Sequence, residues 1–472
     1  MIDVNEALGS IGKRAVRDDS RAVREGDVLV WDSRIGGDSA KIMADARTRG
    51  ATLVISDAES ADAVVKNAGA VLSAYAALAW PRQPEVMLGV TGTSGKTSVA
   101  WFGRQLAGLC GYTSASVGTL GVMRSDDDMD EDYTGFTSPT ALKLHPILDT
   151  LAGEGVSHCL LEISSHALAL NRCDGVKLKA AGLTNITQDH LDFHGTHEAY
   201  AAAKMRLFSE VLPDDGVAVI NVGRSEAWPA ASVAKQRGLP VLTVGTRNAE
   251  LVCEVRQADA RGLEMALKFD AVPDVVRVPL IGAFQAENLA VALGLLVAGG
   301  VAWQDLRSKV AKVGCVPGRM EVVPGHAGQP AVVVDYAHKP DALERALQSL
   351  RPLVKDGGKL RVVFGCGGNR DALKRPIMGK IASDLADVVY VTDDNPRRED
   401  AAAIRKQVLD GATGQAEVRD AGGRREAIAS ALSDAAADDV VLVAGKGHES
   451  GQIIGDEVLP FDDRVVVREL LG

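Results

Sequence analysis

Short apolar runs closed by turns of glycine and polar residues recur along the chain. The clearest are Val28-Leu29-Val30-Trp31, Thr52 to Ser56, Val86-Met87-Leu88-Gly89-Val90, His158 to Ile163, Ala331 to Val334, Leu360 to Phe364, Val388 to Thr392 and Val440 to Ala444. These runs are short and rich in β-branched residues, which predicts buried strands. Between them lie stretches with helical spacing: Lys41 to Arg49, the segment from the turn at Lys96 to about Cys110, Glu198 to Ser209, Ala286 to Ala298, Pro340 to Leu350 and Pro376 to Leu385. Strands alternating with helices predict an α/β protein built on mostly parallel, doubly wound sheets.

A chain of 472 residues exceeds one ordinary hydrophobic core. Pro81 and Pro84 break the pattern ahead of the run at Val86, and a second break falls near Pro317-Gly318. The expectation is three domains: residues 1–85, small and α/β; 86–316, a central parallel-sheet domain; and 317–472, a C-terminal doubly wound domain. A formal net charge of −11 argues against nonspecific nucleic-acid binding, which needs a basic surface. The six cysteines are scattered without a C-x-x-C pair and read as buried residues of a reducing compartment. There is no apolar run of about 18 residues. Arg14, Arg17, Asp18 and Asp19 interrupt any signal-peptide core. A cytoplasmic protein without membrane insertion is expected.

The run Val86–Val90 leads into Thr91-Gly92-Thr93-Ser94-Gly95-Lys96-Thr97, which reads as strand, phosphate loop and helix. Main-chain N–H groups of such a loop and the helix N-terminus attract phosphate, Lys96 adds a point charge, and the Thr97 hydroxyl suits magnesium. The full G-x-x-x-x-G-K-[ST] pattern wants glycine where Val90 stands. Glu162 closes the run at His158, at the strand end where open α/β sheets bind ligands. A magnesium ligand and a salt-bridge partner are both open readings for it. In Asp189-His190-Leu191-Asp192-Phe193-His194 no regular spacing supports zinc, and Asp189 can equally cap the following helix or order the loop. Lys204 sits on that helix, where a lysine is ordinarily solvated. Gln285, Glu287 and Asn288 open a later helix, as ligand contacts or as a cap. The glycine turn Gly365-Cys366-Gly367-Gly368 is not G-x-G-x-x-G, so dinucleotide binding is not expected.

Taken in order, these pieces resemble the Mur ligase family across nearly the whole chain. The matching strings are residues 91–97, Glu162-Ile163-Ser164-Ser165-His166-Ala167-Leu168, residues 189–195, Tyr200-Ala201-Ala202-Ala203-Lys204, Gly318-Arg319-Met320-Glu321, Asp335-Tyr336-Ala337-His338-Lys339-Pro340, Asp394-Asn395-Pro396-Arg397 and Gly445-Lys446-Gly447-His448-Glu449. The resemblance implies an N-terminal uridine-binding domain, a central P-loop ATPase-like domain and a C-terminal Rossmann-like domain for the incoming amino acid. It implies ATP-dependent amide formation through an acyl phosphate, in peptidoglycan precursor synthesis. The substrates would be UDP-N-acetylmuramoyl-L-alanyl-D-glutamate and an amino acid, with ATP and Mg2+.

The resemblance also implies roles for individual residues. Gly92, Thr93, Ser94, Gly95, Lys96, Thr97, Arg319 and Asp335 would meet ATP, Asp335 at the ribose. Thr97, Glu162, His190 and Lys204 would belong to the metal sites, Lys204 as the lysine that the family carbamylates. Lys96, Glu162, His190 and Lys204 would thus carry catalysis. Ser20 would lie near uridine, and Thr137, Ser138, Ser164 and Arg172 would hold the muramoyl-dipeptide. Four positions depart from the commoner family residue: Ser94, Ser138, Leu170 and Lys339. The stretch Asp32 to Ser39 fits the uridine-domain pattern poorly.

Arg397 points to meso-diaminopimelate as the amino acid, because a planar guanidinium can hold the distal carboxylate with two hydrogen bonds. Glu449 and the Gly445 carbonyl would take the distal ammonium, and Arg370 the nearer carboxylate, with Asp394 and Asn395 in the same turn. The alternatives are L-lysine or L-ornithine in the same reaction, a sister ligase such as one adding D-glutamate or a folylpolyglutamate synthetase, and a non-ligase P-loop ATPase or binding module. A monomer is expected.

Overall fold

The computed structural model describes residues 1–124, 137–187, 189–259, 262–269, 273–326 and 328–472. Gln188, the residue just before the string 189–195, lies outside them. The chain forms two compact units: Met1–Glu254 with Leu267–Asp274 and Ala286–Val310, and Val255–Ala266 with Val275–Gln285 and Ala311–Gly472.

The first unit opens with a four-stranded parallel sheet of β1 (Val16–Arg17), β2 (Val28–Trp31), β3 (Leu53–Ser56) and β4 (Ala63–Val64). Its helices begin on side-chain caps: Asp3 makes a capping box with Glu6, Asp38 receives Lys41 N–H, and Asn67 receives Ala70 N–H. Arg34 ties this sheet to the rest of the unit. Its guanidinium donates to Asp32 and Asn67 on one side and to Ala169 O and Asn171 on the other. The poorly matching stretch 32–39 therefore contains a structural clamp.

The larger sheet of the unit carries β5 (Val86–Thr91), β6 (Ser114–Gly118), β7 (Gly121–Arg124), β8 (His158–Glu162), β9 (Leu178–Leu183), β10 (Val217–Asn221) and β11 (Val241–Gly245) in the order β11-β10-β9-β5-β8-β6-β7. All neighbours run parallel except β6 and β7. Val90 stands level with Glu162 on one side and Gly182 on the other, so the phosphate loop and Glu162 leave the sheet at the same edge. A Cβ on Gly182 would lie 2.9 Å from Val291 Cγ1, so its absence lets the helix Phe284–Ala298 lie close on the sheet. Three strands follow that the apolar pattern does not announce: β12 (Leu251–Asp259), β13 (Gly262–Lys268) and β14 (Asp274–Val278).

The second unit holds a six-stranded sheet of β15 (Glu321–Val323), β16 (Ala331–Asp335), β17 (Leu360–Phe364), β18 (Val388–Thr392), β19 (Glu417–Gly422) and β20 (Val440–Ala444). Its order is β15-β16-β20-β17-β18-β19, parallel but for β15. The four central strands coincide with predicted runs because both of their faces are buried. Asp335, Ala444 and Phe364 pair in register, and Phe364 pairs with Val391. The polar turns after these strands thus gather at one sheet edge, where β20 inserts between β16 and β17. A register shift between Val391 and Thr392 bends β18 just before the turn Asp393 to Arg397. A final hairpin, β21 (Gly451–Ile454) with β22 (Glu457–Pro460), is half exposed and was not foreseen.

Candidate active site

The loop after β5 requires its glycines. Gly92 has φ 151° and Gly95 φ 88°. A Cβ would lie 1.8 Å from Thr184 Oγ1 at the first and 2.2 Å from Asn288 Oδ1 at the second. Val90 belongs to the strand and is fully buried, so the loop turns without a glycine there. Side chains from neighbouring segments fix the loop. Asn185 Oδ1 accepts Ser94 N–H at 3.1 Å, Thr184 Oγ1 donates to Ser94 O at 2.6 Å, and Thr93 Oγ1 lies 2.8 Å from the Tyr200 hydroxyl. Lys96 Nζ folds back onto Gly92 O and Thr93 O, at 2.8 and 3.2 Å.

Lys204 is 1% exposed, contrary to the usual lysine on a helix. Its helix, His197–Arg206, is capped by Thr196 Oγ1, while Asp189 accepts the N–H of His190. The cap reading of Asp189 is therefore replaced by the loop-ordering one. Lys204 Nζ donates to Gly92 O at 2.9 Å. Burial, and then the charge of Lys96, push its pKa well below the ordinary lysine value, with Asp189 acting weakly the other way.

Glu162 is 2% exposed. Its Oε2 accepts the Thr97 hydroxyl at 2.9 Å and the Thr119 hydroxyl at 3.2 Å, and Oε1 accepts Thr119 N–H at 2.8 Å. A side chain on Gly118 would collide with this carboxylate. The polar residues 137–138 and 164 join the same cluster. Thr119 Oγ1 lies 3.2 Å from Thr137 Oγ1, Ser138 Oγ donates to Glu162 O and contacts Ser164 Oγ, and Arg172 Nη1 donates to Ser138 O. Thr97, Thr137, Ser138, Glu162, Ser164 and Arg172 are thus brought together.

His190 lies in a ring cluster with His166, at 4.8 Å between centroids, and Tyr200, at 6.3 Å. Its backbone is left-handed, at φ 53°, and Asp189 Oδ2 stands 3.5 Å from Nε2. Tyr200 links this cluster to Thr93. Ser20 is buried in the N-terminal sheet region and donates to Asp45 Oδ2 at 2.9 Å, so its hydroxyl has an internal partner. Among the described residues, no three His, Cys, Asp or Glu side chains form a metal cage. The Thr97 hydroxyl and the buried Glu162 carboxylate are nonetheless oxygen donors of the kind magnesium takes, and the buried Lys204 amine lies against Gly92 O of the same loop.

In the second unit, Arg319 lies over the Tyr336 ring at 4.6 Å, and its Nε–H is buried without an acceptor among the described residues. Asp335 Oδ2 accepts Met320 N–H at 2.7 Å, and burial raises its pKa against the charge of Arg319. An unmatched buried donor beside a half-buried carboxylate fits a polar ligand such as a nucleotide.

The turn after β18 holds Arg397 at φ 52°, pinned by β21: Arg397 N–H donates to Ile453 O at 3.0 Å and Gly455 N–H to Arg397 O at 2.8 Å. The Arg397 guanidinium donates to Gly368 O at 3.0 Å, and it makes no ion pair among the described residues. Of the neighbouring carboxylates, Glu399 pairs with Arg375, and Asp400 caps a helix by accepting Ala403 N–H. A Cβ on Gly367 would lie 2.9 Å from Arg397 Nη1 and 4.0 Å from Arg370 Cγ, so both arginines border this glycine. Asn395 Nδ2 donates to Glu449 Oε2 at 3.0 Å, and a Cβ on Gly445 would lie 2.8 Å from Asp394 Oδ2. Arg370, Asp394, Asn395, Arg397, Gly445 and Glu449 therefore share one edge.

Sequence reasoning did not assign Thr119, Thr184, Asn185, Tyr200 or Lys446. Asn185 and Lys446 each follow a strand end in a polar turn, where open α/β sheets place ligand-facing residues. Thr119 carried none, because its partner Glu162 comes 43 residues later.

A model of the "Mur ligase middle domain" matches residues 90–296, and one of the "Mur ligase, glutamate ligase domain" matches residues 318–447. The UDP-N-acetylmuramoyl-L-alanyl-D-glutamate--2,6-diaminopimelate ligase of Agrobacterium fabrum is 42% identical over 470 residues, covering 98% of this chain and 94% of its own. A solved structure of a UDP-N-acetylmuramoyl-L-alanyl-D-glutamate--2,6-diaminopimelate ligase superposes with TM-score 0.69 at 33% identity, covering 97% of this chain and 94% of that one. A MurF ligase from Thermotoga maritima, solved in complex with ADP, shares the fold at TM-score 0.57 and 19% identity, over 97% of each chain. The chain belongs to the Mur ligase family.

Proposed function

We propose that this enzyme, an ATP-dependent peptide ligase, joins meso-diaminopimelate to the D-glutamate of UDP-N-acetylmuramoyl-L-alanyl-D-glutamate. The observation that carries the choice of amino acid is Arg397, a half-buried guanidinium held in a fixed turn with main-chain carbonyls as its acceptors. A bound carboxylate would supply the missing anion.

ATP is a substrate in this reading. The D-glutamate carboxylate attacks the γ-phosphorus, the bond to the β-phosphate oxygen breaks, and ADP leaves. The diaminopimelate amine then attacks the acyl carbon and phosphate departs. The loop Gly92 to Thr97 holds the phosphates, with Lys96 leaving its main-chain acceptors for them. Thr97, Glu162, His190 and a carbamylated Lys204 would hold magnesium, which would supply positive charge against the phosphates. The depressed pKa of Lys204 supports carbamylation: a neutral amine adds to carbon dioxide, forming an N–C bond and releasing a proton.

Residues 1–85 are assigned to the uridine end with Ser20, 86–316 to ATP and the dipeptide, and 317–472 to the amino acid. Thr137, Ser138, Ser164 and Arg172 face the dipeptide, and Arg319 and Asp335 the nucleotide. Arg370 takes the near carboxylate, and Glu449 with Gly445 O the distal ammonium. Among the described residues no helix is long and apolar enough to cross a membrane. A monomer in the cytoplasm, with no nucleic-acid partner, completes the reading.

The test offers meso-diaminopimelate, L-lysine and L-ornithine in parallel with ATP and the dipeptide nucleotide. Diaminopimelate product should dominate. Equal use of lysine would end the assignment of Arg397.

A further inference from the structure

Lys446 follows Gly445 at the end of β20 and is completely buried, at 0% exposure. Its Nζ donates to Asn395 Oδ1 at 2.9 Å and to Glu449 Oε2 at 3.1 Å. Asn395 Nδ2 donates to that same Glu449 oxygen, and Asn395 Oδ1 also accepts Ile453 N–H at 3.0 Å. An ammonium only donates, so it forces the amide oxygen of Asn395 toward itself and the amide nitrogen toward Glu449. Glu449 Oε1 keeps no hydrogen bond among the described residues.

Ion pairs set the charges inside this network. Arg424 is buried, forms a pair with Asp463 at 2.7 Å, and has Asp394 at 3.8 Å. Lys446 pairs in the same way with Glu449 at 3.1 Å. Arg397 follows Asn395 in the same turn. His448 adds no charge near neutral pH, because burial lowers its pKa to about 4. With Glu449 already cancelled by Lys446, the turn suits a distal end that carries a carboxylate as well as an ammonium. Without Lys446 the Glu449 carboxylate would stand uncancelled, which suits a lone ammonium.

We propose that Lys446 is a specificity-determining residue for the amino acid: by cancelling Glu449 and fixing Asn395, it makes the pocket accept a zwitterionic distal end and disfavour a purely cationic one. This rests on the reading that Arg397 and Glu449 hold the distal end.

The test compares wild type, Lys446→Met and Lys446→Gln. Met keeps the volume without the charge, and Gln keeps a donor without the charge. The quantity read is the ratio of kcat/KM for meso-diaminopimelate to that for L-lysine, with KM for ATP and the melting temperature alongside. Both variants should lower the ratio by about tenfold or more, with KM for ATP unchanged. Parallel loss of both amino acids at a constant ratio would make Lys446 a structural lysine and overturn the proposal, as would failure of both variants to fold. A wild-type enzyme without preference for diaminopimelate would instead remove the reading of Arg397, which separates the two failures.

Discussion

Lys96 and Lys204 donate to one and the same oxygen, Gly92 O, at 2.8 and 2.9 Å. Two ammoniums on one carbonyl repel each other, and Lys204 is the buried one. It therefore gives up its proton more readily than an ordinary lysine, with burial the larger cause and Lys96 the second. The loop thus couples Lys96, the cation proposed for the phosphates, to a neighbouring amine whose pKa is lowered.

On the proposed role of a carbamylated Lys204, Lys204→Ala should lose about ten- to a hundredfold or more in ligation rate, the order that losing a metal-site partner costs. Formate or acetate added at high concentration should restore part of it, by placing a carboxylate where the carbamate belongs. Lys204→Arg should stay inactive with or without added acid, since a guanidinium does not take up carbon dioxide. Full activity of the Ala variant in plain buffer would return Lys204 to a structural role.

Lys96→Ala should lower ligation about a thousandfold or more while leaving the melting temperature within a few degrees. Lys96 Nζ donates to two main-chain carbonyls on its own loop, Gly92 O and Thr93 O. Phosphate release assayed with both acceptors present, beside a thermal melt, separates the two effects. Near-normal turnover would take the loop out of the mechanism.

The strands of the second unit were legible because Leu360–Phe364, Val388–Thr392 and Val440–Ala444 are buried on both faces, and continuous apolar runs report that directly. The hairpin β21–β22 was not, because its residues are half to fully exposed and alternate weakly. Yet this hairpin pins Arg397. At the site, Lys96, Thr97 and Glu162 could be placed from strand-end logic alone. The burial of Lys204 could not, because an alanine-rich helix shows no distinct apolar face, and only the family resemblance singled it out. Thr119 and Asn185 depend on which strands become neighbours, which the local pattern does not contain.

His145 should make the protein sensitive to acid. It is fully buried on the helix Ala141–Gly153, beside Gly175 and Ala77, and neither ring nitrogen has a hydrogen-bond partner among the described residues. Burial lowers its pKa from 6.5 to about 4. Between these values the unfolded chain binds a proton that the folded one refuses. The contribution of His145 is therefore complete above pH 6.5 and is lost as pH falls toward 4. The loss amounts to about 2 kcal/mol at roughly pH 5. His145→Leu removes the titrating group, so urea denaturation at pH 7.5 and pH 5 should show the variant gaining on wild type by about that amount. An unchanged gap between the two would mean that the ring is protonated in the folded state.

Arg397→Lys is the sharpest probe of substrate choice. Arg397 reaches its position through a left-handed backbone, at φ 52°, that any L-residue finds strained, and β21 holds it there by two main-chain hydrogen bonds that do not depend on the side chain. The substitution should therefore keep the turn and change only the group presented. Lysine keeps the charge but loses the planar fork, so it cannot grip both oxygens of a distal carboxylate. The kcat/KM for meso-diaminopimelate should fall about ten- to a hundredfold in Arg397→Lys and about a hundred- to a thousandfold in Arg397→Ala. KM for ATP should not move, and L-lysine should lose less than diaminopimelate, because it brings no carboxylate for the fork to hold. A preference that survives in Arg397→Ala would place the recognition of the distal carboxylate on another residue, with Arg370, across Gly367, the next to substitute.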